Sequence, residues 1–133
     1  MNDVQIAKFL GWFSVGLGAT ELVFGRSLNR TLGLGQSPAL VRAFGAREVA
    51  AGVAVLMFPD MAAPIWLRVA GDVLDLAVLA GALTSRNRRR EATLLATLAV
   101  LGVTALDIAT ASALTHRHTH ALATARRTRV RRA

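Results

Sequence analysis

The run ATLLATLAVLGVTAL, from Ala92 to Leu106, decides how this chain folds. It holds no charge and no proline, and its residues divide unevenly around a helix. Thr93, Thr97, Thr104 and the next residue but two, Asp107, recur at spacings that place them on one narrow face. Leu94, Leu95, Leu98, Leu101 and Leu106 cover the rest. A water-soluble bundle turns an apolar stripe inward and its polar residues outward. Here the polar stripe is the narrow one, and the leucine face is too broad to hide in a small core. The pattern is that of a helix in lipid, where small and polar residues face neighbouring helices.

Three further apolar segments lie upstream, at about 4–25, 39–58 and 62–84, with the fourth at about 91–115. Each is close to the ~20 residues that cross ~30 Å of hydrocarbon. The breaks carry turn residues: Asn29, Gly33, Gly35, Ser37 and Pro38; then Pro59, Asp60 and Pro64; then the stretch from Ser85 to Arg90. Strand-type alternation is nearly absent, so the predicted class is all-α, a four-helix transmembrane bundle over residues 1–116 with a basic C-terminal tail over 117–133. The first apolar run continues to Glu21 without a small-x-small cleavage signal and is expected to be retained.

The first three segments contain ionisable residues, so their reading rests on where those residues sit. Gly11, Ser14, Gly18, Glu21 and Gly25 share one face of the first segment, and Gly45, Glu48 and Gly52 share one face of the second. In the third, Arg68, Asp72 and Asp75 align, with Gly71 beside them. Composition agrees. Hydrophobic residues make up 53% of the 133 and charged residues 18%. With the 11 glycines the apolar share is about 61%, against ~45–50% in soluble domains.

The formal net charge of +8 is concentrated in two places. One is the cluster Arg86, Arg88, Arg89 and Arg90; the other is the tail with Arg117, Arg126, Arg127, Arg129, Arg131 and Arg132. Both flank apolar segments, where basic residues meet anionic lipid headgroups. Nucleic acid is disfavoured as a partner, because no aromatic residue is interleaved with the tail arginines for base stacking. The absence of cysteine excludes disulfides, thiolate metal sites and a cysteine nucleophile. His116, His118 and His120 alternate in a spacing that spreads them around a helix, so they read as surface residues rather than metal ligands. Trp12 and Trp66 read as packing or interface anchors. Gly16 and Gly18 form no phosphate loop, and no complete catalytic set appears, so no catalytic residue, metal or cofactor is assigned.

Depth tests the interior charges. Let end A hold the first and third loops and end B the second loop and both chain ends. At ~1.5 Å rise per residue, Glu21 and Arg42 each lie roughly one turn in from end A, and Arg47 and Asp75 roughly two to three turns in. Arg68 and Asp107 each lie roughly two turns in from end B. The expected interior network is therefore Glu21–Arg42, Arg47–Asp75 and Arg68–Asp107, with Glu48 and Asp72 near the midplane. Three arginines then face five carboxylates. Either one or two carboxyls carry a proton, or a cation or bound partner sits among them.

The motifs Gly45-Ala46-Arg47-Glu48-Val49-Ala50-Ala51-Gly52 and Arg68-Val69-Ala70-Gly71-Asp72-Val73-Leu74-Asp75-Leu76 resemble a known family. It is the small four-helix integral membrane domain of unknown function with a G-x-R-[DE]-x-x-x-G helix. In some relatives that domain is joined to a soluble polyketide cyclase/dehydrase-like or coenzyme-Q-binding-like module. Leu17-Gly18-Ala19-Thr20-Glu21-Leu22 and Ala105-Leu106-Asp107 fit the same likeness. The resemblance implies a fold and a location, and marks Glu21, Arg47, Glu48, Arg68, Asp72, Asp75 and Asp107 as the positions of interest. It implies no activity.

The functional expectation is a multi-pass protein of a bacterial inner membrane, a non-enzymatic component with an interior Arg/carboxylate network. Its expected partners are the bilayer, anionic headgroups at the Arg-rich loop and tail, and a second copy or another membrane protein. The alternative is an oligomeric proton or cation transporter or channel using the midplane carboxylates. Arg26, Arg30 and the Arg86–Arg90 cluster at end A nearly balance Lys8 and the tail at end B, so charge bias leaves the orientation open.

Overall fold

A computed structural model of the chain describes residues 2–36, 38–83 and 86–131, with side chains through residue 120 except His118. Ser37 and Ser85 of the expected turns, the side chain of His118, and those of Arg126, Arg127, Arg129, Arg131 and Arg132 lie outside that description. The described residues form four helices and no strand: α1 (Asp3–Leu32), α2 (Pro38–Met57), α3 (Ala62–Ala82) and α4 (Arg90–Arg131).

Local chemistry sets the ends. Asn2 caps α1, accepting from the Gln5 backbone N–H while the Gln5 side chain accepts from its own, a reciprocal capping box. The expected stop at Gly25 is a kink instead. Phe24 has non-helical dihedrals (φ −108°, ψ 17°), and the helix resumes because no breaker follows before Gly33. Gly33 then adopts the left-handed conformation (φ 59°), and Leu34 N–H donates to the Asn29 carbonyl at 3.1 Å, closing a Schellman motif. Pro38 opens α2 at the position where its missing N–H costs nothing. Likewise α4 does not stop near residue 115 but continues unbroken past the start of the basic tail, since no Gly or Pro follows Gly102.

The helices run alternately up and down. Helices α1 and α2 pack along each other more closely than any other pair, and α3 lies along α4; the two hairpins meet more thinly through α1–α4 and α2–α3. Glycine explains the first seam. Gly11, Gly18 and on α2 Gly52, Gly45 face each other in antiparallel order. A Cβ on Gly45 would stand 2.7 Å from the Gly18 carbonyl oxygen, and one on Gly52 2.7 Å from that of Gly11. Small residues that let backbones touch are a device of helix association in lipid.

Along its axis the bundle is layered. Near end B, Ala7, Val55, Ile65, Ala111 and Leu114 form a small apolar plug. The middle is polar. Near end A the four helices and the first loop line a partly open cavity, and the loops are clasped together. There the Asn87 amide donates to the carbonyls of Leu32 (3.1 Å) and Ala82 (2.8 Å), and the Thr93 hydroxyl donates to Leu32 at 2.7 Å. One asparagine thus satisfies the open C-terminal carbonyls of two helices.

Burial is inverted relative to a soluble protein. Arg68 is 1% exposed and Asp107 0%, whereas Leu95 is 70% exposed and Trp12 67%. Phe9, Val23, Phe24, Leu67, Val73, Leu74, Leu94 and Leu98 are also exposed. Helix α1 and residues Arg90–Arg117 of α4 are long and apolar enough to cross a bilayer.

Candidate functional site: a buried polar layer

Each helix sends polar side chains into the middle layer. Helix α2 contributes Arg47 and Glu48 from adjacent positions. Arg68, Asp72 and Asp75 come from one face of α3, Thr104 and Asp107 from one face of α4, and Ser14 from α1. Glu48 is the hub. Its carboxylate receives Arg47 Nη2 at 2.7 Å on Oε1, and Arg68 Nη1 at 3.4 Å on Oε2. The Ser14 hydroxyl lies within reach of that same Oε2 and of the Glu48 carbonyl at 2.9 Å. Arg68 turns its other edge to α4, with Nη2 at 3.0 Å and Nε at 3.1 Å from Asp107 Oδ2. Arg47 Nη2 also reaches Asp75 Oδ2 at 2.9 Å. Charge-assisted bonds of this kind are the strong ones, and a rigid guanidinium suits them.

Arg47 crosses from α2 to α3 through a slot. Gly71 supplies it: a Cβ there would stand 2.6 Å from the guanidinium carbon, so only glycine leaves the passage open. The Phe44 ring, 5.7 Å from that carbon, covers the other side. Asp72 is buried against Thr104 and Asp107.

The structure thus brings together two of the three expected pairs, Arg47–Asp75 and Arg68–Asp107, and joins them through Glu48. The third, Glu21–Arg42, is not formed. Arg42 is exposed, and its stem passes Gly25, with Cγ 3.4 Å from the place of a Cβ. Glu21 lines the end-A cavity instead, together with Asp75. Depth matched these two residues, but depth carries no information on direction around the axis.

The charge count shifts accordingly. Two interior arginines, Arg47 and Arg68, face Glu21, Glu48, Asp72, Asp75 and Asp107, a surplus of three carboxylates rather than two. Among the described residues the buried side-chain atoms without a hydrogen-bond partner include Glu21 Oε2, Asp72 Oδ2 and Asp107 Oδ1, and also Arg47 Nε and Nη1. Oxygens of Glu48, Asp72 and Asp75 all lie within 4.8 Å of one another, close enough to share a metal ion. Arg47, however, already places its positive charge on two of these three groups, and a divalent ion would have to displace it.

Sequence reasoning missed Asn87, which stands in an Arg-rich loop and reads there as an ordinary turn residue. It also left the role of Ser14 unassigned beyond its face. His116 and His120 are exposed. Trp66 Nε1 donates to Thr115 at 3.3 Å, and Arg117 pairs with Asp3 at 2.7 Å across the end-B mouth of α1 and α4. Comparison with family models, with curated proteins and with solved structures gives no match to this chain.

Proposed function

We propose that the chain is a multi-pass integral membrane protein, a four-helix transmembrane bundle of the inner membrane, acting as a non-enzymatic component. The observation that carries this reading is the inverted burial: the largest fully buried side chain is Arg68, while a broad outer face of Leu, Val, Phe and Trp is uncovered. Soluble monomers rarely expose contiguous apolar patches above a few hundred Å². In a bilayer the same face is solvated by acyl chains, and interior charges avoid the ~2.5–3.5 kcal/mol or more that each costs when it faces lipid. Helices α2 and α3, with 20 and 21 residues, span about 30 Å, the thickness of the hydrocarbon core. The likeness to the G-x-R-[DE]-x-x-x-G membrane domain agrees with this.

At end A, Arg88, Arg89 and Arg90 line a recess with a single acid, Glu91, and with Leu83, Ala92 and Leu94; the basic groups outnumber the acid beside apolar ones, as suits an anionic headgroup and its upper acyl chain. The native absence of cysteine makes the test direct. In intact membranes a water-soluble maleimide should label Arg88→Cys and spare Leu95→Cys. Equal labelling of both would end the membrane reading.

The surplus of interior carboxylates favours a second reading, an oligomeric proton or cation path through Asp72 and Asp75. Proteoliposome flux that disappears in Asp72→Asn and Asp75→Asn would support it; no flux, or flux indifferent to both changes, would count against it.

A further inference from the structure

We infer that the cavity at end A is a binding site for a small lipophilic ammonium ion, held by Glu21. This goes beyond the proposed function and rests on the cavity itself. It measures about 280 Å³, at the lower edge of the ~300–1,000 Å³ of small-molecule sites, and all four helices contribute to its wall. The wall is apolar: Leu17, Leu28, Phe44, Val78, Ala96 and Val100 are among its side chains. Besides Gln36 its polar residues are two acids, Glu21 and Asp75, and no basic residue lines it.

The two acids differ. Asp75 is engaged by Arg47 at 2.9 Å. Among the described residues Glu21 has no ion-pair partner: Arg42, expected to pair with it, is exposed, and Glu21 Oε2 is buried without a hydrogen-bond partner. The charged groups that bear on it are Asp75, Glu48 and Arg47, so acids outnumber bases around it. Arg47 spends one nitrogen on both Glu48 and Asp75 and is committed to them. A half-buried acid whose inner oxygen has no partner, lining an apolar, partly open cavity in a field set mostly by other acids, is complementary to one ligand chemistry. That is a single positive charge carrying N–H donors on an aryl or alkyl body. An anion is repelled, and a neutral hydrocarbon leaves Glu21 unsatisfied.

The test uses the full chain in lipid nanodiscs, with 4-phenylbutylamine and its uncharged analogue 4-phenylbutanol as titrants and empty nanodiscs as the blank. The amine is expected to bind at least tenfold more tightly than the alcohol. Glu21→Gln should remove that preference while leaving weak binding of both, and Ala96→Phe, which fills the chamber, should remove saturable binding of both. An amine that binds no more tightly than the alcohol to the native chain overturns the assignment, with no variant needed. So does an amine preference that survives Glu21→Gln or Ala96→Phe in protein of unchanged helical content.

Discussion

Arg68 offers the sharpest test of the polar layer. Its guanidinium is 1% exposed and makes two contacts to Asp107, at 3.0 and 3.1 Å, and one to Glu48 at 3.4 Å. Arg68→Leu leaves Asp107, itself fully buried, without a cation, and leaves Glu48 with Arg47 and Ser14. Removing one partner of a buried ion pair costs ~3–5 kcal/mol, because the other charge stays buried and unpaired, whereas replacing both by apolar groups is near neutral. Arg68→Leu and Asp107→Leu should therefore each destabilise the bundle by about 3 kcal/mol or more, and the double variant by less than either alone. The weaker Glu48 contact keeps the double variant from full recovery. The assay is a denaturing-detergent titration in mixed micelles, with folding read by energy transfer between dyes on Arg42→Cys and Glu91→Cys at end A. If the two losses simply add in the double variant, the pair is not coupled and the account of the layer is wrong.

Three further expectations use the same assay. Gly18→Leu should cost at least ~1–3 kcal/mol, since its Cβ would meet the Val49 backbone nitrogen at 2.8 Å, while Gly16→Leu, with nothing within 4 Å, should stay within ~0.5 kcal/mol; equal effects would refute the close seam. Gly71→Ala should push the Arg47 guanidinium out of its slot, so adding Asp75→Asn to it should cost much less than Asp75→Asn alone; strict additivity would show that the arginine takes another route. Asn87→Ala, which strands the Ala82 carbonyl and leaves Leu32 to Thr93 alone, should cost ~1–3 kcal/mol and speed amide hydrogen exchange at the start of α4; unchanged exchange there would remove the latch.

What the sequence showed follows from which quantities are local. Hydropathy and turn residues are local, so four helices and their breaks were legible around Pro38, Pro59 and Gly33. Helix ends were less so. Gly25 carries the composition of a stop, yet one glycine after a non-helical Phe24 only bends a helix whose next residues still favour it. The Arg-rich sequence after Thr115 reads as a tail by its charge, while no Gly or Pro in it ends the helix. Depth is also nearly local, because rise per residue is constant, and it paired Arg47 with Asp75 and Arg68 with Asp107. Direction around the axis is a tertiary property, and there the expectation of Glu21–Arg42 failed. The role of Glu48 as hub and of Asn87 as a clasp depends on three or more elements meeting, which no single window of sequence contains.

The uneven strength of the helix seams has a consequence for how such a molecule is made. Within the first hairpin Glu48 already has Arg47 and Ser14; within the second, Arg68 already has Asp107. Each half therefore matches its most deeply buried ions with its own residues, before it meets the other. Assembly can proceed two helices at a time, with no intermediate that leaves Arg68 or Glu48 without a counter-charge. The Arg47–Asp75 and Arg68–Glu48 bridges are left for the final docking of two ready-made halves.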